Sequence, residues 1–206
     1  MFSLRAEAIS KRFQYEWIFK NISLNLNLGE SLAITGGNGS GKSTLIKAIS
    51  GAIPLTSGKI EQIHNSHSVS LDLWHQNLAI SAPYLEVPEE FNLSELLTFH
   101  FKFKKPLREI SIEEIIDILY LGDHRNKPIS QFSSGMKQRV KLALAIFSDV
   151  PLILLDEPTS NLDKKGINWY QKIVSTYLSD RIVILATNEE REYEFCKQII
   201  ALEDYK

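Results

Sequence analysis

A glycine-rich segment, GGNGSGKST at residues 36–44, constrains this chain more tightly than any other part of its sequence. It follows Ser31 to Thr35, an apolar run typical of a buried strand, and it precedes the periodic apolar residues of a helix. Glycine lets the backbone adopt positive φ and approach a bulky anion, so that successive N–H groups can face a phosphate chain. A strand, this loop and a helix in that order predict a site for a nucleoside triphosphate.

Each part of the loop has an expected task. Lys42 supplies a point charge for the β- and γ-phosphates, and the Ser43 hydroxyl is a ligand for Mg²⁺. The dipole of the following helix favours the same anion, and Gly51 is expected to end that helix. Positive φ is expected at Gly36, Gly37, Gly39 and Gly41. The predicted nucleotide-binding residues are Gly36, Gly37, Asn38, Gly39, Ser40, Gly41, Lys42, Ser43 and Thr44.

Length and composition indicate an ordinary soluble globular protein. The 206 residues are 44% hydrophobic with a net charge of −2, which allows a sizeable core but not the basic surface of a nucleic-acid binder. The longest apolar runs are far shorter than the ~20 residues that span a bilayer, and the first residues lack the pattern of a signal peptide. The single cysteine, Cys196, agrees with a reducing compartment. We therefore expect a cytoplasmic protein.

The period of the apolar residues changes along the chain. The stretch from Leu4 to Asn27 alternates in the manner of antiparallel sheet, with Ile22, Leu24, Leu26 and Leu28 expected on one face. From about residue 88 the period becomes helical. Asn92 with Glu95, and Ser111 with Glu114, form capping boxes, and the helix that follows Ser111 is expected to end at Gly122.

Two continuously apolar runs, Leu152 to Leu155 and Ile182 to Ala186, are typical of buried parallel strands, and a helix is expected between them from about Lys164 to Ser179. These features predict an α/β fold. It would have a P-loop NTPase core with a mostly parallel central sheet, an N-terminal antiparallel β subdomain and an inserted helical subdomain. A single domain would cover residues 1–206, with 1–87 and 149–206 as the core and 88–148 as the helical subdomain.

Two carboxylates, Asp156 and Glu157, directly follow the first of these strands. The carboxyl end of a parallel strand is where open α/β sheets bind ligands. Asp156 is expected to hold Mg²⁺ through water, and Glu157 to polarise the water that attacks the γ-phosphate. An Asp-Glu pair alone would indicate only the start of a loop.

Further motifs lie on either side of this pair: QFSSGMKQR at 131–139 and PTSNLD at 158–163. With them the chain resembles, almost end to end, the nucleotide-binding subunit of ABC transporters. Residues 132–136 are similar to the family's LSGGQ signature motif, and residues 160–163 to its D-loop. Phe13 stands where the family places an aromatic ring that stacks on adenine. Independently, Ser133, Ser134 and Gly135 offer N–H groups and hydroxyls at the start of a helix, which is a site for an anion.

The resemblance implies a cassette that binds ATP and Mg²⁺ and pairs head to tail with a second copy or a related cassette. Ser133, Ser134, Gly135 and Met136 of one cassette would contact the γ-phosphate held on Lys42 of the other, with Asp163 in the D-loop. The pair would drive a separate integral membrane subunit. The cassette would then lie on the inner face of the cell membrane, and no nucleic acid is expected as a partner.

The chain departs from the family at several positions. Ser134 replaces a glycine of the signature and Met136 a glutamine. The strand at Leu78 to Ser81 should end in a glutamine, but Pro83 or Tyr84 stands near that place. Asn188 occupies the position of the family's switch histidine, and an amide cannot become cationic. Asn188 is therefore expected either to orient Glu157 or the γ-phosphate, or only to cap the next helix.

Three functions remain open from the sequence. The chain resembles the compact cassettes of ABC-2-type and haem exporters in its length and in the form of its signature. A soluble ABC ATPase of the iron–sulfur cluster assembly type is one alternative. A switch that binds ATP with little hydrolysis is the other, because of Asn188 and the missing glutamine.

Overall fold

The computed structural model describes the backbone of residues 1–206 and every side chain other than that of Glu109. Its nine strands are β1 Phe2–Phe13, β2 Glu16–Asn27, β3 Ser31–Thr35, β4 Ser57–His64, β5 His67–Ser68, β6 Leu78–Ser81, β7 Leu152–Asp156, β8 Ile182–Ala186 and β9 Gln198–Ala201. Its α-helices are α1 Lys42–Ile49, α2 Trp74–Asn77, α3 Leu93–Phe103, α4 Ile112–Ile118, α5 Ser134–Ile146, α6 Lys164–Tyr177 and α7 Glu190–Tyr193.

The N-terminal strands form an antiparallel sheet in the order β2-β1-β4-β5. The alternation in β2 places Ile22, Leu24 and Leu26 in the core, as predicted. Leu28 does not follow them. It lies beyond the end of β2 and is 41% exposed, because the chain turns at Gly29, whose φ is 80°.

The second sheet is parallel, in the order β6-β7-β8-β3-β9. Every residue of β7 and β8 is buried, as expected for strands covered on both faces. β3 lies between β8 and the edge strand β9, so the loop after β3 opens at the same edge of the sheet as the residues after β7 and β8. The predicted α/β class, with a P-loop core, is confirmed.

Side chains from the two faces of this sheet enter two different apolar clusters. One face packs against helices α3, α4, α5 and α6 through Ala79, Ile153, Leu155, Val183 and Leu185. The other face packs against α1 and the antiparallel sheet through Leu78, Leu152, Leu154, Ile182 and Ile184. The parallel sheet is therefore the middle layer, and its carboxyl edge is held from both sides.

The helical region begins its helices where the sequence predicts. Asn92 and Ser111 each accept from the backbone N–H three residues on, and Glu95 and Glu114 complete the two capping boxes. The end of α4 differs from the prediction, because the left-handed residue is not Gly122 but Tyr120, with φ 56°. Among the described residues, no helix is long and apolar enough to cross a bilayer.

Candidate functional site

The loop between β3 and α1 has the backbone that an anion site needs. Gly36, Gly39 and Gly41 have φ values of 142°, 79° and 108°. At Gly41 a side chain is also excluded sterically, because an added Cβ would lie 2.2 Å from Cγ2 of Ile18. Gly37 is a correction to the prediction, since its φ is not positive. Gly51, with φ 80°, follows α1 as expected.

Two charged side chains already contact this loop. Lys42 is buried, and its Nζ donates to the carbonyl oxygens of Gly36 at 2.6 Å and Gly37 at 3.3 Å. The backbone N–H of Gly37 donates to Oε1 of Glu203 at 2.6 Å. This hydrogen bond holds the pKa of the Glu203 carboxyl below its ordinary value. No sequence motif points to Glu203, which belongs to a short 3₁₀ turn, Leu202–Tyr205, after the edge strand β9.

Asp156 ends β7 and is the most deeply buried acid at this edge of the sheet, with 1% of its surface exposed. Neither carboxylate oxygen has a hydrogen-bond partner of good geometry. Burial raises the pKa of Asp156, and the nearby Ser43 hydroxyl opposes this shift. A buried carboxylate with free oxygens beside a serine hydroxyl fits a hard divalent cation.

The residue after it, Glu157, is exposed and has a backbone φ of 46°, an uncommon conformation for a residue other than glycine. Its N–H donates to the Ala186 carbonyl at 2.9 Å, so the loop is tied to the end of β8. The side chain borders a polar cavity of about 390 Å³ lined by Asn38, Glu157, Thr159, Ser160, Thr187, Asn188, Glu189, Arg191 and Glu192.

Asn188 lies against the phosphate loop. Its Oδ1 accepts from the Gly36 N–H at 3.2 Å, and its Nδ2 donates to Oδ1 of Asn38 at 3.4 Å. It does not cap the following helix, because the N-cap residue of α7 is Glu189, which makes no side-chain cap. The helix-cap alternative for Asn188 is therefore wrong.

Tyr84 lies three residues after the end of β6, near the place where the family resemblance predicts a glutamine. Its ring lies 3.9 Å from Nζ of Lys47, which is one helical turn after Ser43 in α1. Burial and the charge of Asp156 both raise the pKa of the Tyr84 hydroxyl. A phenol thus stands close to the group formed by Ser43, Lys47 and Asp156.

Phe13 is the last residue of β1 and is 49% exposed. The ammonium of Lys11 lies 4.7 Å from the centre of its ring. A half-exposed aromatic face is available to stack on a base.

The signature residues lie at the start of α5. Ser133 is the N-cap residue, and its hydroxyl accepts from the Met136 N–H at 3.3 Å. Gly135 is tightly placed, because an added Cβ would lie 3.0 Å from the carbonyl oxygen of Asn161. Asp163 caps α6 by accepting from the Gly166 N–H at 2.7 Å. These residues line a cavity of about 400 Å³ together with Tyr120, Leu121, Ser134 and other neighbours.

This second cavity shares no lining residue with the one beside Glu157. The structure therefore brings Gly36 to Thr44, Asp156, Glu157 and Asn188 together at one edge of the sheet and leaves the signature residues at another place. Sequence reasoning also missed Glu192, a largely buried carboxylate in the wall of the first cavity. It stands among several glutamates near Asn188, and no spacing distinguishes it from them.

The sequence matches the family model described as "ABC transporter" over residues 19–160. The chain is 32% identical over 201 residues to the ABC transporter ATP-binding protein YybJ of Bacillus subtilis, covering 95% of this chain and 89% of that relative. It is 30% identical to the lantibiotic transport ATP-binding protein SrtF of Streptococcus pyogenes, over 90% of this chain and 79% of the relative. For YcbN, an ABC transporter ATP-binding protein of Bacillus subtilis, the matched part spans 53% of the relative.

The fold is also similar to a solved structure, a dimeric ATP-binding cassette in a post-hydrolysis state bound to ADP and Pi. The two superpose with a TM-score of 0.77 at 22% identity, over 96% of this chain and 93% of the other. At this level of identity the similarity concerns the fold.

Proposed function

Because this chain belongs to the ABC transporter family and is an ATP-hydrolysing cassette, we propose that it pairs around ATP to drive a separate membrane-spanning subunit, in the direction of export. The observation that carries the proposal is the arrangement at the carboxyl edge of the parallel sheet. There the loop of Gly36 to Thr44 lies beside Asp156, Glu157 and Asn188.

In this proposal the N–H groups of the loop and the ammonium of Lys42 hold the phosphates of ATP, and Phe13 stacks on the adenine. Lys42 needs little movement for this task, since its Nζ already lies within 3.3 Å of two loop carbonyls. The Gly41 backbone is fixed against Ile18, so the antiparallel sheet helps to shape the loop.

Mg²⁺ would be held by Ser43 and, through water, by Asp156. The free, buried oxygens of Asp156 support this assignment. Among the described side chains, no group of three or more His, Cys, Asp and Glu residues is arranged so that it could hold a metal ion. Mg²⁺ is usually bound by one or two carboxylates together with substrate phosphates and water. When bound, the ion neutralises charge that develops on the transferred phosphoryl group.

Glu157 would act as the general base, accepting a proton from the water that attacks the γ-phosphate. Its exposed side chain borders the cavity that Asn188 also lines. Asn188 would orient the γ-phosphate or Glu157 by hydrogen bonds alone. A positive φ at Glu157 is a backbone strain of the kind found at functional sites.

Ser133, Ser134, Gly135 and Met136 would complete the site of a second copy. No residue of the loop lines their cavity, which supports a role toward the nucleotide of a second copy. The free N–H groups at the start of α5 favour a γ-phosphate presented by a partner.

We also propose that the chain divides into a core, residues 1–87 and 149–206, and a helical subdomain, residues 88–148. One apolar cluster contains residues of both parts, which supports a single domain.

The docking surface for the membrane subunit would be the segment Pro83 to Phe91. Tyr84 and Leu85 are 39% and 37% exposed. Leu85 and Val87 also border an apolar cavity of about 370 Å³ between β6 and the helical region. Large apolar side chains in a loop mark a contact surface. Binding there would place the chain on the inner face of the membrane.

The pairing is tested with Glu157→Gln, which should bind ATP without hydrolysing it and so accumulate as a dimer. Gel filtration with MgATP should show the dimer, and the same variant carrying Lys42→Ala should remain monomeric as the matched control. A monomer in both samples would contradict the proposal.

Docking is tested by crosslinking from a cysteine at Leu85 in a Cys196→Ser background, using membranes that contain the transporter. A cysteine at Tyr15, which is 96% exposed on the antiparallel sheet, is the control. A membrane protein should be captured from position 85 and not from position 15. Equal capture from both positions would contradict the docking surface.

A further inference from the structure

Glu192 is a charged side chain buried behind the hydrolysis site, with 3% of its surface exposed. Burying a carboxylate is costly unless its oxygens are hydrogen-bonded. Oε1 of Glu192 accepts from the Thr159 N–H at 3.0 Å and also from the Thr159 hydroxyl. Oε2 has no partner of good geometry. The carboxylate is thus held mainly by Thr159 of the opposite loop, and the Thr187 side chain lies close enough to favour its charged form.

Thr159 lies two residues after Glu157 in a tightly turned loop. The Ser160 N–H donates to the Glu157 carbonyl at 3.1 Å, and the Leu162 N–H donates to the Thr159 carbonyl at 2.9 Å. Fixing Thr159 therefore fixes the turn that presents Glu157. The strained φ of Glu157 persists only if its surroundings hold it, and Glu192 is part of those surroundings.

The other end of Glu192 is anchored next to Asn188. The Glu192 N–H donates to the Glu189 carbonyl at 2.9 Å, and the Glu189 N–H donates to the Thr187 hydroxyl at 3.0 Å. Thr187 in turn donates its N–H to the Ile34 carbonyl in β3 at 3.0 Å. One side chain thus connects the Glu157 loop to the segment that places Asn188 on the phosphate loop.

We propose that Glu192 is a positioning residue for ATP hydrolysis, whose bond to Thr159 holds Glu157 at a fixed place relative to Asn188 and the phosphate loop. This inference rests on the proposed roles of Glu157 and Asn188. In this proposal Glu192 acts on Glu157 through its bond to Thr159 and not through a contact with the reacting atoms. A purely stabilising role would be served as well by an apolar side chain, since buried charges seldom stabilise more than a well-packed apolar replacement.

The test is steady-state hydrolysis by the full chain, assayed in whichever assembly gives the parent its turnover. Glu192→Ala should lower kcat at least about tenfold and leave KM for ATP within about twofold, because nucleotide binding does not depend on the position of Glu157. Glu192→Gln keeps an oxygen that accepts from Thr159 and should retain most of the turnover. Thr159→Val should lower kcat in the same direction, and combining it with Glu192→Ala should add little.

Tyr170→Phe is the matched control. The Tyr170 hydroxyl donates to the backbone carbonyl of Glu192 at 3.3 Å, and Tyr170 is fully buried, but it makes no hydrogen bond to Thr159 or Thr187. This variant should melt a few degrees lower and keep the parent's kcat, because it weakens the packing and not the link to Thr159.

If the parent protein hydrolyses ATP, two outcomes would overturn the inference about Glu192 without contradicting the proposed function. One is an unchanged kcat in Glu192→Ala or, if that variant does not fold, in Thr159→Val. The other is an equal loss of kcat in Tyr170→Phe. A parent with turnover that does not depend on Glu157 would instead overturn the proposed function, and this inference with it.

Discussion

Asn188 and Gly36 are joined by a hydrogen bond in which the Gly36 N–H donates to the Asn188 side-chain oxygen at 3.2 Å. The bond connects the end of β8 to the first glycine of the phosphate loop. A neutral amide placed there can orient a phosphate but cannot supply positive charge. We therefore expect the side chain at position 188 to affect the rate of hydrolysis.

We expect Asn188→His to raise the ATP hydrolysis rate about tenfold, which corresponds to about 1.4 kcal/mol of barrier. An imidazole keeps a planar polar group and can become cationic as negative charge moves in the transition state. Asn188→Ala is the control and should hydrolyse ATP more slowly than the parent. Equal rates in all three proteins, measured in the assembled transporter, would show that the side chain at position 188 does not affect ATP hydrolysis.

Lys42→Ala should weaken ATP binding by about 100-fold, or about 2.7 kcal/mol, since it removes a charge-assisted contact to the phosphates. Isothermal titration of the variant and the parent measures the difference. Lys59→Ala, which removes an exposed lysine paired with Glu61 on β4, should bind ATP like the parent. An unchanged affinity of Lys42→Ala for ATP would contradict the assignment of this loop to the nucleotide site.

Asp156→Asn should raise the melting temperature measured without Mg²⁺ and ATP. Burial raises the pKa of Asp156 above its ordinary value of 3.8, so the folded state binds its proton more tightly than the unfolded state. Stability therefore falls as pH rises from the ordinary pKa to the raised one, and the loss is complete above the raised pKa. The amide carries no such cost and should gain about 1 kcal/mol, or about 2–4 °C, at pH 7.

This gain should shrink as the pH approaches 4, because the parent's carboxyl is then largely protonated in the folded state and about half protonated in the unfolded state. Thermal melts of the two proteins across pH 4 to 8 give the comparison. A constant difference at every pH would assign the effect to packing rather than to the charge of Asp156.

Tyr120→Gly should stabilise the fold by about 1 kcal/mol. Tyr120 has φ 56°, which strains any residue with a Cβ, and its side chain is 67% exposed, so little burial is lost. Tyr120→Ala keeps the Cβ and should show no such gain. Denaturant titration that finds both variants equally stable would contradict the strain at this position.

The buried strands could be predicted because they need only a continuous apolar run. Ile182 to Ala186 matches β8 residue for residue, and Leu152 to Leu155 matches β7 apart from Asp156 at its end. The capping boxes at Asn92 and Ser111 are equally local signals, and both helices begin there.

Other features depend on contacts distant in sequence. The end of α4 was assigned to Gly122 because glycine favours the left-handed conformation, yet Tyr120 adopts it. β9 was missed because all four of its residues are only partly buried or exposed at the sheet edge, so it shows no continuous apolar run. The placement of Asn188 on Gly36 joins residues that no local pattern relates.

The contact between Glu203 and the Gly37 N–H means that a carboxylate of the same chain already occupies one N–H group of the phosphate loop. In the proposed function, an incoming phosphate chain would compete with this carboxylate for the same backbone N–H group, so the carboxylate would withdraw as the phosphate binds. The affinity measured for a nucleotide then reflects the difference between its own binding free energy and that of the carboxylate it displaces. Weak anions such as inorganic phosphate must compete with a carboxylate held at high local concentration on the same chain, and this competition favours the more highly charged nucleoside triphosphate.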